Sequence, residues 1–217
     1  MNYKDISEKS IDNHIDRIVE VAESIEPNKV TILTGGNASG KSVVRKLLNA
    51  RLAEKLGKPS VTSSVSMELR TSGNSGLLGT GLDHMHSDLS WESTGEHTVN
   101  LIRSLLKSNA SEEMAETNRR FIVIDEIETG LSKEVLLGMC QMLESEMERI
   151  LKNSYGILLI THSDEVVRNL KHDTFINIEG LTEEEWLNRE VEPVNPDDIE
   201  RWSRALYLGI RKRQKKN

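Results

Sequence analysis

The stretch Gly35-Gly36-Asn37-Ala38-Ser39-Gly40-Lys41-Ser42 constrains this chain more than any other. It follows a short β-like run, Lys29 to Thr34. It opens onto a segment, Gly40 to Leu56, that carries Val44, Leu48, Leu52 and Leu56 on one helical face. Gly57 and Pro59 end that helix. Glycines let the backbone between strand and helix fold so that successive N–H groups converge, and the helix N-terminus adds positive potential, so the loop suits phosphate oxygens. The spacing matches G-x-x-x-x-G-K-[ST]: Lys41 reaches the β- and γ-phosphates and the Ser42 hydroxyl ligates Mg2+. The expected nucleotide-binding residues are therefore Gly35, Gly36, Asn37, Ala38, Ser39, Gly40, Lys41, Ser42 and Val43, with ATP and Mg2+ as cofactors.

A phosphate cradle needs an acidic partner for the metal. Phe121-Ile122-Val123-Ile124 is a continuous apolar run, as in a strand buried on both faces, and it ends in Asp125-Glu126. This places Asp125 beside the first strand's loop, as a metal ligand with Ser42, and Glu126 where it polarises an attacking water as general base.

The rest of the chain alternates in the same way. Helical spacing covers residues 10–26, with Ile11, Ile15, Ile18, Val19, Ala22 and Ile25 as its apolar stripe. A strand is expected near Ser60–Met67, a helix capped by Ser93 and Glu96 from Ser93 to Ser108, and a helix over Ser132–Leu151 with a Val135, Met139, Leu143, Met147, Ile150 stripe. Strands at Tyr155–Thr161 and Thr174–Ile178 complete an α/β fold with a mostly parallel sheet covered by helices on both faces. The organisation reads as a nucleotide-binding domain over 1–181 and a C-terminal helical extension over 182–217. Pro196 opens its last helix, and Trp186 and Trp202 are its packing anchors.

Composition excludes several classes. A single cysteine, Cys140, rules out a disulfide framework within the chain, and no apolar run is long enough to span a bilayer. A net charge of −7 with intermixed signs argues against wholesale nucleic-acid binding. The expected location is the cytoplasm. Asp83-His84-Met85-His86-Ser87-Asp88 reads as a solvated loop, with coupling to a partner as its functional alternative. The basic end, Arg211 to Lys216, reads as a solvated helix terminus, with nucleic-acid contact as the alternative.

Together these motifs resemble the ABC-type ATPases, over about residues 29–181. After the loop Gly35–Ser42, Ser93-Thr94-Gly95-Glu96 is similar to the signature that opens a helix in that family. Asp125-Glu126-Ile127-Glu128-Thr129-Gly130-Leu131 is similar to its Walker B strand end, catalytic glutamate and D-loop. Ile160-Thr161-His162-Ser163 is similar to its switch histidine, and the run Thr174 to Gly180 continues the pattern. The resemblance implies catalytic roles for Glu126, His162 and Lys41. It also implies contact of Ser93, Thr94, Gly95 and Glu96 with the γ-phosphate of a partner subunit, and ATP as the glue of a homodimer. The glutamine that the family carries between loop and signature is absent, since the glutamines are Gln141 and Gln214, and the interval from Lys41 to Ser93 is short. The helical insert is therefore reduced and a transporter subunit is excluded. The run Asp125 to Leu131 is closer to soluble members of the RecF, SMC and OLD kind, which implies DNA maintenance or phage defence, with DNA as a possible partner. Two other functions stay open: an ATP-gated assembly subunit of a larger complex with slow turnover, and a small-molecule P-loop kinase.

Overall fold

The computed structural model describes residues 2–57, 62–65, 96, 99–100, 102–104, 107, 119–191 and 193–215. Its centre is a five-stranded sheet of β1 (Val30–Thr34), β2 (Thr62–Val65), β3 (Phe121–Asp125), β4 (Gly156–Ile160) and β5 (Thr174–Asn177), in the order β2-β3-β4-β1-β5. Every pairing is parallel. The helices bounded within the described residues are α1 (Glu8–Ser24), α2 (Lys41–Leu56), α3 (Lys133–Asn153), α4 (Asp164–Asn169), α5 (Glu183–Leu187) and α6 (Pro196–Gln214). This is the α/β fold of a P-loop NTPase.

The apolar runs are continuous because successive residues serve two cores. Val30, Ile32, Ile122, Ile124, Ile157 and Leu159 face a core with α3 and α4, and Trp186 of α5 packs there too. Leu33, Phe121, Val123, Leu158 and Ile160 face the other core, with α1, α2 and α6. Strand alternation thus buries both faces at once.

The local codes act as physical chemistry requires. Ser7, Ser132, Ser163, Thr182 and Asn195 each accept a backbone N–H at a helix start, and Thr182 with Glu185 forms a capping box. Pro196 opens α6, where its missing N–H costs nothing. Two stripes are rotated from the sequence expectation. Val19 is exposed while Val21 is buried, and Val135 is exposed while Leu136 and Cys140 are buried. The full apolar faces of α1 and α3 are wider than a single four-residue ladder, and their centres decide which flank turns outward.

Asp125 comes out at the end of the sheet where the loop after β1 lies, as expected, although β4 stands between β1 and β3. The crossover through α3 brings the chain back between them, pairing Ile160 with Leu33 on one side and Asp125 on the other. The ends of β1, β4 and β3 therefore emerge together at the carboxyl edge of the sheet, where open α/β sheets hold ligands.

Candidate active site

The loop after β1 is shaped by backbone geometry that few residues tolerate. Gly40 has φ +97°, and a Cβ there would lie 2.4 Å from Ile18 Cδ1. Both conformation and space demand glycine. Ala38 is also left-handed, at φ +57°, a conformation that costs a non-glycine residue free energy. Lys41 is buried, and its Nζ donates to Gly35 O and Gly36 O, each at 3.0 Å. Burial pulls its pKa down, while the carboxylates Asp125, Glu126, Glu179 and Glu128 oppose that shift. The ammonium is thus folded back on its own loop, with donors that a phosphate recruits by rotation of the side chain.

Three side chains from elsewhere brace this loop. Glu179, just past β5, accepts the Gly36 N–H at 2.6 Å. A Cβ on Gly36 would meet that carboxylate at 2.9 Å and the Tyr3 hydroxyl at 2.4 Å. The Tyr3 hydroxyl donates to Asn37 O at 2.9 Å. His14 Nε2 lies 2.8 Å from Ser39 O, and because a carbonyl only accepts, Nε2 carries the proton. Burial lowers the His14 pKa and raises that of Tyr3. Tyr3 is noticeable in sequence only as the aromatic upstream of the loop. His14 has no local signal.

Across the carboxyl edge, Glu126 has φ +56° and donates its N–H to Ile160 O at 2.8 Å, which fixes the strained turn leaving β3. Its Oε1 stands 3.8 Å from His162 Nε2, close but beyond hydrogen-bond reach. Glu128 clamps the end of β4: its carboxylate accepts Thr161 Oγ1–H at 2.9 Å and the His162 N–H at 2.7 Å. The two motifs after β3 and β4 are therefore one hydrogen-bonded unit. Burial pushes the His162 pKa down to about 4, helped by the Lys41 and Arg189 charges and opposed by Glu179. His162 is neutral at physiological pH, so the contact with Glu126 is a polar approach and no ion pair.

Asp125 pairs with Arg45, one helical turn beyond Lys41 on α2, at 3.4 Å, and both side chains are largely buried. Arg45 is a site residue that the sequence motif does not reveal. The Ser42 hydroxyl and the Asp125 and Glu126 carboxylates line the same cavity. They are hard oxygen donors, so the residues present fit Mg2+. Arg45 is then a competing counter-charge for Asp125.

These pieces line a cavity of about 450 Å³, formed by Asn37–Val43, Asp125, Glu126 and His162 together with residues of α6. The sequence-expected residues Asn37, Ala38, Ser39, Gly40, Lys41, Ser42, Val43, Asp125, Glu126 and His162 thus share one cavity. Gly35 and Gly36 line a second one with Tyr3, Glu179 and Arg189. Ser93, Thr94 and Gly95 of the expected signature lie outside the described residues, as does the Asp83–Asp88 segment. Glu96 is helical and exposed. Of the basic end, Arg213 pairs with Asp16 at 2.5 Å and Asp12 at 3.5 Å, and Lys212 with Glu8 at 3.5 Å. Those cations tie α6 to α1. Among the described residues, no helix is long and apolar enough to cross a membrane.

No family model matches the chain. No curated protein matches it either. Among solved structures it is similar to part of Drosophila ORC bound to AT-rich DNA and Cdc6, with 14% identity and a TM-score of 0.34 over 78% of this chain and 28% of that one. It is similar to C. elegans PCH-2 at 16% identity and a TM-score of 0.36, over 78% of this chain and 42% of that one. The chain spans less than half the length of the structures it matches. At these scores the fold assignment rests on the strand order and the loop described above.

Proposed function

We propose that the chain binds ATP and hydrolyses it to ADP and phosphate, as a soluble ATPase of the ABC-type kind. The observation that carries this reading is the convergence of Lys41, Ser42, Asp125, Glu126 and His162 on one cavity at the carboxyl edge of a parallel sheet. The loop N–H groups and Lys41 bind the β- and γ-phosphates. Ser42 and Asp125 would hold Mg2+, which would neutralise phosphate charge. Glu126 accepts a proton from water as its oxygen bonds to the γ-phosphorus and the bond to the β–γ bridging oxygen breaks. Neutral His162 donates or accepts a hydrogen bond beside that water without adding charge. Ser93, Thr94, Gly95 and Glu96 complete the site of a second copy, so that ATP closes a homodimer and hydrolysis opens it. The work driven belongs to DNA maintenance or phage defence, in the cytoplasm.

One observation favours the alternative of an assembly subunit with slow turnover. The Arg45 guanidinium already neutralises Asp125 and competes with the metal for it. The test is calorimetric titration with Mg-ATP, paired with light scattering for mass. Wild type binds and doubles in mass, and Lys41→Ala does neither. Tight binding by Lys41→Ala would remove the phosphate-cradle reading, and binding without a change of mass would remove the dimer. The steady-state rate separates hydrolase from assembly subunit.

A further inference from the structure

Phosphate recognition by backbone N–H groups leaves the base unread, so discrimination must come from another part of the cavity. The rest of the cavity is lined by Ser203, Leu206, Tyr207 and Ile210 of α6. Their spacing, i, i+3, i+4 and i+7, puts them on one helical face. The wall is seated on the loop itself: a Cβ at Gly40 would lie 3.9 Å from Leu206 Cδ2. It is also anchored from behind. Trp202 and Leu206 belong to the core shared with α1 and α2. Gly209 permits the approach of α1, since a Cβ there would meet Ile11 at 2.8 Å and Ile15 at 2.9 Å.

Tyr207 is different from its neighbours on this face. It is the only phenylalanine, tyrosine or tryptophan among the described residues lining the cavity, and 57% of its surface is exposed. The Arg211 guanidinium, one turn on, lies 5.6 Å from its ring centroid. A large ring left open on the rim of a phosphate cavity, held by a rigid helix and accompanied by a cation, is a stacking platform for a flat heterocycle. A cavity of about 450 Å³ is within the range that holds a nucleotide-sized ligand.

We propose that α6 is the nucleoside wall of this site and that Tyr207 stacks the purine base. The proposal rests on the nucleotide site argued above. Besides the Ser203 and Tyr207 hydroxyls the wall is apolar, so recognition is mainly by stacking area. Purines bind better than pyrimidines, and adenine and guanine are discriminated weakly.

Calorimetric titration of the full chain with ADP and, separately, with tripolyphosphate tests this. Tyr207→Ala weakens ADP binding by about ten- to a hundredfold, leaves tripolyphosphate binding unchanged, and is rescued by Tyr207→Phe. The exposure of Tyr207 lets both variants keep the core, and unchanged tripolyphosphate affinity verifies the loop. ADP binding by Tyr207→Ala equal to wild type, or an equal loss for both ligands, overturns the nucleoside wall alone. A wild-type protein that binds neither ligand overturns the nucleotide site and this proposal with it.

Discussion

The two walls of the cavity obey opposite rules. The loop wall is contiguous in sequence, residues 37–43, and its own backbone carries most of its shape: a left-handed Gly40, a left-handed Ala38 and a helix that starts at Lys41, with Tyr3, His14 and Glu179 as braces from elsewhere. The α6 wall comes from residues 203–210, far away in the chain, and exists only because α6 packs on α1 and the sheet. On the proposed roles of the two walls, loss of packing at α6 weakens base binding more than phosphate binding.

Trp202→Ala is the strongest way to break that contrast. Removing a buried indole costs about 3–5 kcal/mol, which denaturant unfolding reads directly. Trp202 also packs edge-on against Tyr3 and His14, which brace the loop, so in the fraction that stays folded both affinities fall, that for ADP more than that for tripolyphosphate. An equal loss of both would erase the distinction between the walls.

Glu128→Gln acts on the carboxyl edge. It keeps one acceptor oxygen for Thr161 or His162 and loses the charge, at a cost of about 1.5–3 kcal/mol for a charge-assisted hydrogen bond. Turnover falls further than the apparent affinity for ATP, because Glu128 holds the His162 N–H directly and acts on Lys41 only through its charge. Steady-state kinetics separate the two; a higher KM at unchanged kcat would place Glu128 in binding.

The smallest effect is one of pH. His162 has its pKa lowered from the ordinary 6.5 to about 4 by burial. Between those values the unfolded chain takes up a proton that the native one refuses, so stability is lost as pH falls through that window and is flat above it. Comparing unfolding midpoints of wild type and His162→Asn from pH 7.5 to 4.5 isolates this group. The wild type declines more steeply, and turnover shows no His162 inflection between pH 6.5 and 8.

The sequence carried the local wall and little of the other. Glycine spacing and the apolar runs before Gly35 and Asp125 are short-range signals, and they located the loop, the strands and the acidic pair. The position of β4 between β1 and β3 is a choice of crossover, invisible to periodicity. Glu179 reaches Gly36 across 143 residues, and His14 reaches Ser39 through the docking of α1, so neither has a spacing to detect. Tyr207 falls off the Ile199, Trp202, Leu206, Ile210 stripe, and a pattern that seeks buried residues passes over a ring whose place is at an open rim. Ser93, Thr94 and Gly95 of the signature segment, where the case for a second subunit lies, fall outside the described residues.

We propose that Glu126, held in a strained turn beside His162, activates water against ATP bound by the loop, and phosphate release in a single turnover tests it. With Mg-ATP bound, wild type releases phosphate, and Glu126→Gln retains intact ATP with a rate lower by about 10²–10⁴-fold at comparable affinity. Phosphate release by Glu126→Gln at the wild-type rate would contradict the account.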